Sequence, residues 1–168
     1  RVQELELQVA PGVWQKRWTF GGQVPGPTLH GRVGDVFVVT LVNDGTIGHS
    51  VDFHAGSLAP DLPMRTIAPG ESLVYRFTAT HAGIWMYHCS TMPMSAHIAA
   101  GMHGAVVIEP DGLPAVDRSY VLVQSEVHVD GDGSTAITEV DADSAAADTP
   151  DAVVFNGVAN QYDAAPLT

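Results

Sequence analysis

Cys89 is the only cysteine in the chain, and it stands in Tyr87-His88-Cys89-Ser90, with His97 and Met102 downstream. A single thiol has no intrachain partner for a disulfide. A thiolate, an imidazole and a thioether in this order are three of the donors of a blue copper centre. Such a centre takes one thiolate, two imidazoles and a weak axial thioether, since soft sulfur and a trigonal geometry suit both copper oxidation states. The second imidazole must come from elsewhere, and Gly48-His49-Ser50-Val51-Asp52-Phe53-His54 offers two candidates.

Strand alternation points His49 and His54, five residues apart, to opposite sides. His88 and Cys89 are neighbours and diverge in the same way. One scheme satisfies both pairs. His49, Cys89, His97 and Met102 hold one copper, while His54 and His88 point outward to a second. The peptide link between Cys89 and His88 then becomes a short covalent wire between two metals, as a redox enzyme needs when it separates electron uptake from chemistry. A lone cysteine is ordinarily a small buried hydrophobe, and the spacing to His97, Met102 and the upstream His49 is what argues against that here. Met86, Met92 and Met94 are expected to pack around the metal. His30, His81, His103 and His128 are expected at the surface, and Trp14, Trp18 and Trp85 in the core or at its rim.

The elements that must position these residues read as β structure. Glu4 to Val9 alternates, with Leu5, Leu7 and Val9 on one face. Asp35 to Val42 is β-branched and apolar and predicts a central strand. Ser72 to Thr78 alternates again, and Gly104 to Glu109 closes the series. Turn signals separate them at Pro25-Gly26-Pro27, Asn43-Asp44-Gly45, Pro69-Gly70 and Ala82-Gly83. Short strands at this spacing predict a β-sandwich.

Pro110-Asp111-Gly112-Leu113-Pro114 breaks the pattern, and a further strand is predicted over Tyr120 to Val127. An acidic, alanine-rich stretch up to Pro150 reads as a flexible excursion. The end of the chain echoes its beginning: Phe155-Asn156-Gly157-Val158 with Pro166-Leu167-Thr168 resembles Phe20-Gly21-Gly22-Gln23 with Pro27-Thr28-Leu29. Such self-similarity marks a duplicated domain. The expected organisation is one domain over residues 1–112, then a linker and the opening segment of a second, incomplete domain over 113–168.

The 168 residues suffice for one well-buried domain with some left over. The net charge of −12 opposes binding to nucleic acid, whose phosphates it would repel. No apolar run approaches the roughly 20 residues of a membrane helix. No basic-then-apolar leader stands at Arg1, so any signal peptide is expected to be missing from this sequence.

The motifs His-Ser-Val-Asp-Phe-His at 49–54, Tyr-His-Cys at 87–89 and His97 with Gly101-Met102 resemble those of the copper nitrite reductases and, more broadly, the two-domain multicopper oxidases. The resemblance runs from about Phe20 to Glu109 and continues weakly to the end. It implies an all-β, cupredoxin-like Greek-key β-sandwich followed by a truncated second cupredoxin domain. It assigns His49, Cys89, His97 and Met102 to type 1 copper, His54 and His88 to type 2 copper, and proton donation to Asp52. It further implies a homotrimer whose neighbouring subunit supplies the third type 2 histidine, an electron donor protein or small reductant, and an extracytoplasmic (periplasmic or exported) location. The implied reaction is reduction of nitrite to nitric oxide. Two other readings are a laccase-like oxidase that reduces oxygen and a blue-copper electron carrier without catalysis. The oxidase would need a His-x-x-His-x-His run and a His-Cys-His triplet, but Asp52 and Ser90 stand at two of those positions. The segments Ser90 to Ala96 and Ala55 to Pro60 depart from the usual reductase sequences.

Overall fold

Alternating side chains and a Pro11-Gly12 turn make the first hairpin, in which strand β1 (Val2–Ala10) pairs antiparallel with β2 (Val13–Phe20). Gly12 takes φ +79°, a conformation open to glycine without a Cβ penalty. The computed structural model describes residues 1–56, 64–131 and 136–168. The part of the family-divergent stretch after His54 that begins at Ser57 therefore lies outside the described residues, as does Asp132 of the acidic stretch.

Six more strands complete the sandwich: β3 (Leu29–Arg32), β4 (Val36–Val42), β5 (Asp52–Phe53), β6 (Ser72–Thr78), β7 (Gly83–His88) and β8 (His103–Glu109). One sheet has the order β3-β8-β7-β5, with β3 parallel to β8 and the other pairs antiparallel. β4 and β6 form an antiparallel pair from Val36↔Thr78 to Val42↔Ser72. The main core lies between these layers. It joins Leu41, Tyr75 and Phe77 of the β4–β6 pair to Phe53, Tyr87, Val106 and Ile108 of the opposite sheet, and both Cys89 and Met102 belong to it. Phe37 stacks on Phe77 with ring centroids 4.9 Å apart.

β4 is not the central strand its apolar run predicts. Among the described residues it pairs only with β6, and Val36 and Val38 are exposed while Phe37, Val39 and Leu41 turn inward. The run is apolar on both faces, but only one face meets the core.

β2 is the less expected strand, because its inward positions are polar: Gln15, Arg17 and Thr19 are all buried. Buried polar groups require partners, and the later part of the chain supplies them. Gln15 Nε2 donates to the carbonyls of His128 (2.7 Å) and Glu139 (3.0 Å), and Arg17 donates to Gln15 Oε1. β10 (Ile137–Thr138) then adds in parallel to β2. The acidic stretch is thus not wholly an excursion. It contains β10 and helix α2 (Ala142–Ala147), whose N-cap Asp141 accepts from the N–H groups of Asp143 and Ser144 at 3.0 and 2.9 Å.

β9 (Gln124–Val127) pairs antiparallel with β11 (Ala152–Phe155), so the strand predicted from Tyr120 begins only at Gln124. Val127 and Val154 form a small second core with Val9. The internal echo has a structural counterpart. Phe20 bridges to Gln23 across Gly21 and Gly22 (φ +69° and +78°), and Phe155 bridges to Val158 across Asn156 and Gly157 (φ +54° and +87°). Both are two-residue turns with positive φ at each central position, which Gly and Asn adopt most readily.

Candidate metal centre

Backbone hydrogen bonds close the loop that carries three of the predicted donors. Cys89 follows β7 directly, and its N–H donates to the Met102 carbonyl at 3.0 Å. Helix α1 (Met94–Ala99) brings His97 back over the sulfur, and Met102 N–H donates to the His97 carbonyl at 3.1 Å. His49 arrives from the other side, locked to Ile67 by a reciprocal pair of bonds at 3.1 and 2.8 Å. The donor atoms of His49, Cys89 and His97 all lie within 4.8 Å of one another, and all three residues are buried. Cys89 Sγ is 3.3 Å from His97 Nδ1. Met102 is fully buried beside them in sequence and in the core.

Two features fit this cluster to a soft metal ion. Both ring nitrogens of His49 are buried without a hydrogen-bond partner among the described residues. A buried polar atom is costly unless something satisfies it; a metal would satisfy one of the two, and Nε2 lies 3.8 Å from Glu4 Oε1. Burial by itself would push the Cys89 thiol up. The imidazoles of His49 and His97 and the N–H groups of Ser50 and Thr91 outweigh it, and bring the pKa down to about 5. The thiolate, which is the metal-binding form, is therefore favoured. The rings of His49 and His97 stand 5.1 Å apart in an edge-on arrangement, and Trp18 covers both at 5.7 and 4.6 Å.

The second cluster is built across the β5–β7 pair. Asp52 sits directly opposite His88, so their side chains share a face. His54 opens the 3-10 turn that bends the chain away after β5, and this bend brings its ring back beside His88. His54 Nε2 and His88 Nε2 are 3.0 Å apart, and Asp52 Oδ2 lies 3.7 and 3.9 Å from them. That nitrogen separation suits two ligands of one ion at metal–nitrogen distances of about 2.0–2.1 Å. His88 is buried, whereas the His54 side chain is 46% exposed. The cluster is therefore closed on the protein side and open on the other.

The structure brings five of the predicted donors and Asp52 into two clusters, His49 with Cys89 and His97, and His54 with His88 and Asp52. Other expectations fail. Met86, Met92 and Met94 are exposed, with Met92 at 78%, and do not pack around the buried cluster. The connection after Cys89 turns its methionines outward because helix α1 spends its inward position on His97. His103 and His128 are buried, not at the surface. Burial holds His103 neutral, with its pKa pushed down to about 4. His128 is enclosed by the later segment, where Nδ1 meets Ser144 Oγ at 2.9 Å. Several contributors carry no sequence signal of their own: Trp18 over the imidazoles, Glu4 holding the Thr46 backbone and hydroxyl ahead of His49, and Ser50 against the sulfur.

Known proteins carry the same architecture. The copper-containing nitrite reductase of Neisseria gonorrhoeae is 38% identical over 159 residues, covering 92% of this chain and 41% of that protein. The reductase of Alcaligenes xylosoxydans xylosoxydans is 38% identical over 167 residues, covering 87% and 51%. A solved copper nitrite reductase from Nitrosomonas europaea superposes with a TM-score of 0.86 at 36% identity, covering 98% of this chain and 57% of that one. A solved multicopper oxidase gives 0.78 at 31%, covering 94% and 52%. The chain thus spans about half the length of the curated relatives it matches. The fold is the cupredoxin fold of these copper proteins, and copper, of type 1 and type 2, is the cofactor. The sequence profile of the multicopper oxidases matches residues 1–112, the segment that carries both clusters, and the chain belongs to that family.

Proposed function

We propose that this chain is the cluster-bearing part of a copper-dependent reductase that converts nitrite to nitric oxide. The observation that carries the reading is a carboxylate, Asp52, within 4 Å of the paired imidazoles of His54 and His88. His49, Cys89, His97 and Met102 are the type 1 ligands, and His54 and His88 are two of the type 2 ligands. Copper supplies reversible one-electron chemistry and Lewis acidity when bound.

The protein's own residues account for the rest. His49, Cys89 and His97 form a buried pocket that excludes water from the electron-accepting side. The peptide between Cys89 and His88 joins that pocket to the open cluster. His88 Nδ1–H donates to the Cys89 carbonyl at 3.0 Å, which leaves Nε2 as the nitrogen with a free lone pair. Reduction of nitrite by one electron consumes two protons and releases water with nitric oxide. Asp52 Oδ2 faces the open cluster with its side chain only 20% exposed, and we assign it the delivery of a proton from solvent.

The open side of the His54–His88 pair accommodates a third imidazole, which we assign to the second domain of a neighbouring subunit in a homotrimer. Residues 113–168 are then a linker and the opening of a second cupredoxin domain, a reading supported by the matching turns at Phe20 and Phe155. The electron comes from a donor protein or a small reductant. We assign an extracytoplasmic location, as the family resemblance implies; no helix among the described residues is long and apolar enough to cross a membrane.

An oxygen-reducing oxidase is the second reading, favoured by the multicopper oxidase neighbour. It requires further imidazoles where Asp52 and Ser90 stand. Copper content, nitrite-dependent nitric oxide release and oxygen uptake, measured on one preparation of the full-length protein, choose between the two. About two coppers per subunit with nitric oxide release is expected. Four coppers with oxygen uptake and no nitric oxide would overturn the reductase reading.

A further inference from the structure

Ser50 lies between the two donor-bearing segments, fully buried, and four groups converge on it. Its N–H donates to Cys89 Sγ at 3.4 Å, and its hydroxyl oxygen lies 3.7 Å from the same sulfur. That oxygen accepts from Ser90 N–H at 3.0 Å and from the Thr91 hydroxyl at 3.1 Å. A hydroxyl oxygen accepts two hydrogen bonds and donates one, so both acceptor positions are filled. Two acceptors remain for the Ser50 proton: Cys89 Sγ, and Ser90 Oγ at 3.1 Å. Ser90 is only half-buried and can turn to water, whereas the sulfur is enclosed. Once the sulfur carries thiolate charge it is the stronger acceptor, because charge-assisted hydrogen bonds are roughly twice as strong as neutral ones.

The directions then propagate outward. Thr91 spends its proton on Ser50, so the contact between Thr91 Oγ1 and Thr66 Oγ1 at 2.9 Å must be donated by Thr66, which lies at the exposed rim. We propose that Thr66, Thr91 and Ser50 form a directed hydroxyl relay that ends on the Cys89 sulfur and raises the reduction potential of the copper held there. Ser50 is a positioning residue in this arrangement, acting through Cys89. The inference rests on Cys89 being a type 1 ligand.

Oxidised copper depends more strongly than reduced copper on electron donation from the thiolate. Donors that draw on the sulfur lone pairs weaken that donation and favour the reduced state, and hydrogen bonding around the cysteine sulfur is a recognised lever on such potentials. A chain of hydroxyls polarises each successive member in the same sense. Removing the inner hydroxyl should lower the potential most, and removing an outer one should lower it less.

The test is a spectroscopic redox titration of the copper-loaded, full-length protein and its variants, read at the thiolate-to-copper band and independent of turnover. Ser50→Ala is expected to keep the band and the copper content. Its reduction equilibrium should shift about tenfold toward the oxidised state, about 59 mV for a one-electron couple. Thr91→Val, which removes only the hydroxyl, should shift the same way by less, and Thr91→Ser should restore the wild-type value. Thr91 is half-buried, so its variants preserve the test if Ser50→Ala fails to fold. A wild-type protein without the band would overturn the ligand reading and the relay with it. A normal band with Thr91→Val matching Thr91→Ser and wild type, or with a potential that rises, would overturn the relay alone.

Discussion

His88 Nδ1–H donates to the carbonyl oxygen of Cys89 at 3.0 Å, so two consecutive residues that face opposite ways are also tied to each other by a hydrogen bond. The bond orients His88 Nε2 toward His54 and Asp52, while Cys89 Sγ turns to His97. The same peptide therefore sets the distance between the two clusters and the tautomer of one of its imidazoles. A change at either residue is felt at both.

Cys89→Ser should remove the intense visible absorption of the copper-loaded protein and leave the β-fold in place. Charge transfer from thiolate to copper has no counterpart with a serine hydroxyl, and Cys89 is a small side chain in the core. Absorption and circular dichroism on the same sample check this. Survival of the intense band would show that another residue is the donor. Met102→Leu should keep the colour and shift the potential, because the axial thioether tunes the centre more than it holds it.

His54→Ala should separate the two clusters. His54 is half-exposed and contributes to the open site alone, so the copper content of the full-length protein should fall by about one per subunit with the visible band unchanged. Loss of the band as well would mean that the clusters are not independent.

Asp52→Asn should separate proton delivery from metal binding. The amide keeps the size of the side chain and removes its titrating group. Nitrite turnover should fall about 10²-fold, the reach of a positioned general acid, with both coppers retained. Wild-type turnover would remove Asp52 from the mechanism.

Gly104→Ala tests the packing beneath the open cluster. A Cβ at this position would come 2.3–2.6 Å from the ring of Tyr87, whose hydroxyl donates to the Pro27 carbonyl at 2.7 Å. Overpacking of this kind costs about 1–3 kcal/mol, and Tyr87 is the immediate neighbour of His88. A lowered denaturation midpoint and weakened binding of the second copper are expected. An unchanged midpoint would show that Tyr87 yields freely.

Trp18→Ala should destabilise the protein by about 3 kcal/mol, the lower end of large-aromatic truncations, because Trp18 is only partly buried. It should also broaden the copper spectrum, since the indole packs against both His49 and His97. Chemical denaturation and electron paramagnetic resonance read the two effects separately.

The donors were legible in the chain because metal chemistry restricts residue type, and β structure converts spacing into direction. His88 and Cys89 diverge at the end of β7 as pleating requires, whereas His54 stands in the 3-10 turn beyond β5, so its direction came from that bend and not from strand alternation. Phe155-Asn156-Gly157-Val158 was legible only as an echo of Phe20-Gly21-Gly22-Gln23; the structure shows that both are turns with positive φ. β2 was not legible. Its buried positions are Gln15, Arg17 and Thr19, and a polar strand has no hydrophobic period; it pairs with β1 along its length, and its buried Gln15 is satisfied by the His128 and Glu139 carbonyls, more than a hundred residues away. The acidic stretch read as an excursion for the corresponding reason, because its charges mask the short segments that complete this surface. Whether an apolar run such as β4 is central or lies on one outer face depends on how many neighbours it has, which composition does not encode. The hydroxyls of Ser50, Thr91 and Thr66 look like ordinary loop residues in sequence. Only the tertiary structure links three separate segments into a chain of hydrogen bonds that ends on one sulfur, because donor–acceptor geometry is set by the packing of elements and not by the order of residues.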